Sequence, residues 1–339
     1  MRAFPVIIGA TASGKTALAV ETALLLRERG APGEIISADA FQVYRGMDIG
    51  TAKPTPDERR GVPHHLIDIR DPSETFNVDQ WLAAAEEAID DIRRRGGTPV
   101  VVGGTHLFIK ALLDGLFKGP APDPALREAI AKLDSRERRA ELERVDPAAA
   151  GRIHPNDERR TVRALEVYRA TGRPISEWQS QWDSTGGRPD ALLTGILWPT
   201  AEQNQRINAR VKQMVEDGLV EEVRRLWSED RFGAQAREAL GYKQLVAHFE
   251  GRCGQDEAIE QIKIQTRRFA KNQRTWLRRL LGPNDPKSDL SKENRATPIP
   301  PAAPLVIDGP ETAPEDGAQV IFSKVFALDS LLTARPADP

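Results

Sequence analysis

Apolar residues gather in three short runs near the start of the chain, and a helical pattern follows each. Phe4–Gly9, Glu34–Ser37 and Thr98–Val102 carry β-branched residues and read as strands. Gly14–Arg29, Val78–Arg95 and His106–Leu116 read as helices. This alternation predicts an α/β fold, a parallel sheet with helices on both faces. Its ligand belongs at the carboxyl ends of the strands. Lys118-Gly-Pro-Ala-Pro-Asp-Pro then breaks the pattern, and Pro124 to about Gln181 reads as helices rich in Arg, Glu and Ala. The apolar run Ala191–Trp198 reads as a buried strand returning to the sheet. Residues 119–189 are therefore expected to be a helical insertion in a core built from 1–118 and 190–282. After Gly282 the chain holds ten of its 25 prolines in 57 residues. This 283–339 tail is expected to be largely disordered. At most, Pro304–Asp308 and Gln319–Leu328 would form a small hairpin, and truncation after Gly282 would spare activity.

Charge refines this picture locally. The net charge is −2 over 339 residues, but the tail is acidic, and residues 1–282 carry 43 Lys/Arg against 41 Asp/Glu. A global argument for nucleic-acid binding fails, so only local clustering supports one. Cys253 is the sole cysteine, which excludes an intramolecular disulfide and a Cys-rich metal site. No apolar stretch reaches the ~18 residues of a membrane span. No basic-plus-apolar signal precedes the first strand. A cytoplasmic location is expected.

Residues 9–16 read Gly-Ala-Thr-Ala-Ser-Gly-Lys-Thr, a complete G-x-x-x-x-G-K-[ST] phosphate loop between strand and helix. Successive backbone N–H groups of Gly9, Ala10, Thr11, Ala12, Ser13 and Gly14 wrap a phosphate. Lys15 brings charge to it, and the Thr16 hydroxyl is placed to ligate Mg²⁺. The fold is thus P-loop NTPase-like, and the ligand carries a di- or triphosphate. Two further features fall at strand ends, Asp39 and Gly103-Gly104-Thr105. The third strand ends without the carboxylate that nucleotide-cleaving relatives of this loop use for metal. Asp39 is the one well-placed acid, suited to hold a metal or to act as a base.

Lys263, Arg267, Lys271, Arg274 and Arg278 recur at helical spacing, with Arg268 and Arg279 beside them and no acid within Ile262–Leu281. One basic helix face results, suited to a phosphate backbone. Phe269 and Trp276 read as core anchors on that helix. Histidines 64, 65, 106, 154 and 248 show no metal-ligand spacing and are expected to serve turns and caps.

Taken in order, these pieces resemble the tRNA dimethylallyltransferase (isopentenyl-tRNA transferase) family. The resemblance rests on residues 9–16, on Ile-Ser-Ala-Asp-Ala-Phe-Gln-Val-Tyr-Arg-Gly-Met-Asp-Ile-Gly-Thr-Ala-Lys-Pro at 36–54, and on Pro-His-His-Leu-Ile-Asp-Ile-Arg-Asp-Pro at 63–72. It continues through 102–105, 152–157, 163–167, Leu-Gly-Tyr-Lys-Gln at 240–244 and Gln-Arg-Thr-Trp-Leu-Arg at 273–278. Ala10 stands where the family usually has proline. The resemblance implies transfer of a dimethylallyl group from dimethylallyl diphosphate to the N6 amine of the adenosine 3′ of the anticodon, in tRNAs reading codons that begin with U. It implies that Asp39 takes the amine proton, that Thr105 touches the target nucleotide, and that Lys15, Arg210 and Mg²⁺ near Thr16 stabilise the departing diphosphate. The tRNA anticodon stem-loop would meet Asp39, Ala40, Phe41 and Gln42. It would also meet Arg127, Arg159, Arg160, Thr161, Val162 and Arg163, with the insertion gripping its far side. From the core it would meet Glu238, Ala239, Leu240, Gly241, Tyr242 and Lys243. The last segment would be Lys271, Asn272, Gln273, Arg274, Thr275, Trp276, Leu277 and Arg278. No obligate protein partner is implied, and a monomer is expected.

Three rivals stay open. A small-molecule kinase would want an acid ending the third strand and would leave the basic helix unexplained. An adenylate isopentenyltransferase acting on free nucleotides would need neither that helix nor Arg159–Arg163. An RNA-binding nucleotide sensor would not need Asp39 and Gly103-Gly104-Thr105 at the strand ends.

Overall fold

The computed structural model describes residues 3–116, 119–121, 123–184, 187–282 and 304–334. Two compact units result. The larger comprises the described residues of 3–113, 188–282 and 304–334; the smaller spans 114–187.

The larger unit is built on a six-stranded, all-parallel sheet. Its strands are β1 (Phe4–Gly9), β2 (Gly33–Ala38), β3 (His64–His65), β4 (Thr98–Gly103), β5 (Ala191–Leu197) and β6 (Leu305–Asp308), in the order β3-β2-β4-β1-β5-β6. Strands β1, β2 and β4 are buried at every position, which is why their sequences are apolar runs and not alternations. Their side chains still sort by parity. Val6, Ile8, Ile36 and Val101 join one core cluster, and Ile7, Ile35, Val100 and Val102 the other.

On the second face lies α1 (Lys15–Glu28), whose Leu18 to Leu26 is buried almost throughout. A helix apolar all round needs cover on both sides. The sheet supplies one, and α14 (Pro314–Ala334) supplies the other through Ala318, Ile321, Val325 and Leu328. The expected tail is thereby corrected. Residues 305–308 form no hairpin but add β6 to the sheet beside β5. The 318/321/325/328 spacing is helical, and its apolar face is what α1 lacks. Residues 283–303 and 335–339 lie outside the described residues.

The first face is covered by α3 (Val78–Arg94), α4 (His106–Asp114), α11 (Leu219–Ser228), α12 (Tyr242–Phe249) and α13 (Gln255–Leu281). Helices α2 (Pro56–Arg59) and α10 (Thr200–Glu216) complete the larger unit. The smaller unit is all-helical: α5 (Pro124–Ala131), α6 (Ser135–Val145), α7 (Pro147–Arg152), α8 (Glu158–Thr171) and α9 (Ile175–Ser184). Asp123, Asp134, Asp146 and Asp157 cap four of these at their N-termini. Ile130, Leu142, Val145, Leu165, Val167 and Ile175 form its core.

Candidate active site

Strands β2, β4 and β1 are neighbours, so their carboxyl ends lie side by side. These ends carry Asp39, Gly104-Thr105 and the phosphate loop, in that order across the sheet. Adjacent strands are about 4.8 Å apart, which puts the three features within the reach of one substrate pair. Gly103 and Gly104 are needed there. A Cβ on Gly103 would sit 2.1 Å from the Ala38 carbonyl oxygen, and one on Gly104 would sit 2.5 Å from Gln273 Nε2. The missing acid at the end of β4 thus has a steric cause, because no side chain fits.

Side chains from three elements shape the loop. Gln203 Nε2 donates to Thr11 O at 2.9 Å, Arg206 Nε to Ala12 O at 2.8 Å and Trp198 Nε1 to Ser13 O at 3.0 Å. Three successive carbonyls are therefore tied from outside, which turns their peptide N–H groups the other way. Thr11 N donates to Gln273 Oε1 at 2.8 Å, and Ser13 N to Ala10 O at 3.2 Å. Among the described residues, no acceptor engages the N–H groups of Ala12, Gly14, Lys15 or Thr16. Gly14 at φ 86° and Ala12 at φ 61° bend the chain into this anion nest.

Beside the nest lie two cations, Lys15 and Arg210, that feel the Asp39 carboxylate without pairing with it. Burial and then the Arg210 guanidinium hold the Lys15 ammonium down to about 8, against the opposing pull of the Asp39 carboxylate. Burial likewise lowers Arg210, while Asp39 and Glu58 raise it. No hydrogen bond or ion pair among the described residues engages either cation. Gln203, Arg206 and Arg210 share one face of α10 at i, i+3 and i+7, so the helix that ties the loop also delivers Arg210.

Asp39 Oδ1 accepts from Phe41 N at 2.9 Å and from Gln42 N at 3.3 Å, fixing the carboxylate at the turn after β2. Thr105 N donates to Ala38 O at 3.2 Å, and its Oγ1 accepts from Ala40 N at 3.1 Å. Gln42 is held by Ser37 Oγ at 2.9 Å and donates to Thr51 O and Ala52 O. Sequence reading passed over Gln203, Arg206 and Trp198. Their signal was the helical offset of Gln203 and Arg206 from Arg210.

Exposure sorts the residues expected to meet RNA. Lys271, Asn272, Thr275, Trp276 and Arg278 are exposed along α13, and Arg274 is half-buried. Burial and Arg278 lower the Arg274 guanidinium. Gln273 and Leu277 are buried. Phe269 and Trp276 are 42% and 37% exposed, so neither is the core anchor expected. Trp276 stacks on His106 with ring centroids 6.1 Å apart. The N-terminal end of the basic face is partly neutralised, since Glu260 pairs with Lys263 at 3.2 Å and lies 3.9 Å from Arg267.

In the 238–243 segment, Glu238, Leu240 and Lys243 reach the surface, and Ala239, Gly241 and Tyr242 are buried. The Tyr242 hydroxyl donates to Glu222 at 2.5 Å, and Glu222 accepts the N–H groups of Asp48, Ile49 and Gly50. Tyr242 thus braces the 36–54 block from within and has no face for RNA. In the smaller unit Arg159 and Arg160 are exposed, Val162 is half-buried and Thr161 is buried. Arg127 and Arg163 both bind Glu166, which is fully buried and also accepts Asp123 N at 2.7 Å. Burial alone would raise the Glu166 carboxyl; Arg163, the Asp123 N–H and Arg127 hold it below its ordinary value.

The "IPP transferase" family model matches residues 42–280. A tRNA dimethylallyltransferase of Geobacillus thermodenitrificans is 48% identical over 284 residues, covering 80% of this chain and 86% of the relative. The solved structure of a full-length tRNA isopentenylpyrophosphate transferase from Bacillus halodurans matches with a TM-score of 0.67 at 33% identity, over 98% of this chain and 100% of that one. A eukaryotic dimethylallyltransferase solved acting on tRNA matches with a TM-score of 0.76 at 27% identity, over 99% and 81%. With the phosphate loop, the acid-free end of β4 and the Asp39 turn in place, the chain belongs to the IPP transferase family.

Proposed function

We propose that this chain transfers the dimethylallyl group of dimethylallyl diphosphate to the N6 amine of the adenosine 3′ of the anticodon, in tRNAs reading codons that begin with U. The observation that carries this reading is the row of strand ends. An anion nest with two unpaired cations, Lys15 and Arg210, stands at β1, and a fixed carboxylate, Asp39, stands two strands away. In the reaction the bond from allylic carbon to oxygen breaks, and its electron pair leaves with the diphosphate. The loop N–H groups, Lys15 and Arg210 take up that charge, the main barrier-lowering task. The N6 lone pair forms the new carbon–nitrogen bond, and Asp39 accepts the amine proton. Thr105, just past the end of the strand between, borders the target nucleotide. The base leaves its stack to reach the site, as with other enzymes that act on bases.

The residues fit Mg²⁺ as an ion carried by the substrate. The described residues contain no cluster of three or more His, Cys, Asp or Glu able to cage a metal, whereas Thr16 at the start of α1 presents a hydroxyl beside the nest. When bound, the ion would supply further neutralisation of the diphosphate. Exposed Lys271 and Arg278 on α13, with Arg159 and Arg160 of the smaller unit, suit the phosphate backbone of the tRNA. No described helix is long and apolar enough to cross a membrane. A cytoplasmic monomer fits this reading.

One assay tests it. The protein is incubated with labelled dimethylallyl diphosphate, tRNA, adenosine monophosphate and ATP. Label on tRNA is expected. Label on the free nucleotide alone would replace this reading with that of an adenylate isopentenyltransferase.

A further inference from the structure

The resemblance placed Gln273 among the groups that touch tRNA, but its side chain is 3% exposed and both ends of its amide are engaged. Oε1 accepts from Thr11 N at 2.8 Å in the phosphate loop, and Nε2 donates to Gly104 O at 2.9 Å at the end of β4. The amide therefore spans the ends of two adjacent strands. Thr105, next along, spans the following pair through Ala38 O and Ala40 N. A continuous line of hydrogen bonds runs from the loop through Gln273, Gly104 and Thr105 to the Asp39 turn. Gly104 belongs to the same device, because a Cβ there would sit 2.5 Å from Gln273 Nε2.

We propose that Gln273 is a positioning residue, which sets the spacing between the diphosphate held by the loop and the nucleotide held by Thr105 and Asp39. Gln273 sits on α13, whose outer face carries Lys271 and Arg278. The helix that meets the RNA is thus the helix that registers the loop. Ala12, at φ 61°, keeps its strained conformation because neighbours over-determine the loop. Gln273 is the hold on it that comes from α13. A misplacement of about 1 Å between reacting groups typically lowers rate by about 10²-fold. Loss of the bridge should therefore appear in kcat first.

The inference rests on the transferase reading, and its test separates the two. Gln273→Met keeps length and removes both hydrogen bonds; Gly104→Ala leaves the glutamine in place and crowds its amide. Single-turnover transfer, tRNA affinity and binding of inorganic pyrophosphate are measured for both and for the wild type. Both variants are expected to lose about 10²-fold in kcat, to weaken pyrophosphate several-fold, and to keep tRNA affinity within twofold. Weakened tRNA binding with kcat unchanged at saturating tRNA would overturn the proposal and return Gln273 to the RNA contacts. Unchanged kcat and unchanged pyrophosphate binding in both variants would overturn it as well. If the wild type binds pyrophosphate but transfers nothing to tRNA, the transferase reading fails, and the pyrophosphate comparison alone judges the bridge. Should Gln273→Met fail to fold, Gly104→Ala decides.

Discussion

Two residues separate the roles within the site. Lys15 holds its proton only below about 8, because burial and Arg210 outweigh Asp39. A bound diphosphate stabilises the ammonium and raises that value, so binding takes up a proton above pH 8. Pyrophosphate affinity should therefore be full below about pH 8 and weaken as pH rises through it. Lys15→Met should bind weakly throughout and lack that component of the pH dependence. Isothermal titration of both proteins across pH 6.5–9.5 checks this, and parallel profiles would remove Lys15 from the diphosphate site. Asp39→Asn keeps the turn, since its amide oxygen still accepts the N–H groups of Phe41 and Gln42. It cannot accept the amine proton, so the maximal rate should fall by about 10²–10⁴-fold with tRNA affinity retained. A Mg²⁺ titration of single-turnover transfer distinguishes the alternative. Full rescue by magnesium would make Asp39 a metal-holding acid.

At the scale of elements, α13 and α8 carry the cations proposed to meet the RNA. On α13 the exposed cations Lys271 and Arg278 lie beyond the stretch that Glu260 neutralises. Replacing both by glutamine should flatten the log–log salt dependence of tRNA binding by about two, with folding preserved. An equal slope would make this face a solvated one. On α8, Glu166 acts from below the surface by holding Arg127 and Arg163 in place. Glu166→Gln should destabilise the smaller unit by about 1–3 kcal/mol, given the part-exposed arginines, and weaken tRNA binding. Its carboxyl is held below the ordinary glutamate value. The stabilisation is thus complete above that value and fades as pH falls through the lowered one. Hydrogen exchange across 114–187 at pH 7 and pH 4 measures both effects.

For the larger unit, the last described segment matters most. Truncation after Gly282 removes β6 and α14, uncovering the second side of α1 and the edge of β5. It also removes Gly309, which packs against the Trp198 indole that holds Ser13 O. Burying one such aliphatic side chain contributes about 1.5–3 kcal/mol. Even a net loss of ~3 kcal/mol would lower Tm by roughly 5–10 °C. The truncated chain should melt lower and transfer more slowly; an unchanged Tm and rate would show that the segment is dispensable after all.

What was legible in the chain was local. The phosphate loop, the strands on either side of it, the Asp39 turn and the α13 basic repeat each lie within a few dozen consecutive residues. Backbone sterics and hydrophobic period act at that range, so their signals survive in one dimension. The lining of the loop was not legible, because Trp198, Gln203, Arg206 and Gln273 reach it across 185 to 262 residues. Nor was the burial of Tyr242 and Gln273 inside segments expected to meet RNA, since a polar side chain shows its partner only when the helices pack. The tail misled for a related reason. Its prolines lie mainly outside the described residues 304–334, and the helical spacing 318/321/325/328 acquires meaning only beside a helix that is apolar on all sides. Composition and short-range spacing thus determined which chemistry the chain carries and on which elements. Tertiary packing decided which polar groups are left unpaired to meet the substrates and which are consumed in holding the site, because each hydrogen bond made inside removes a group from the surface.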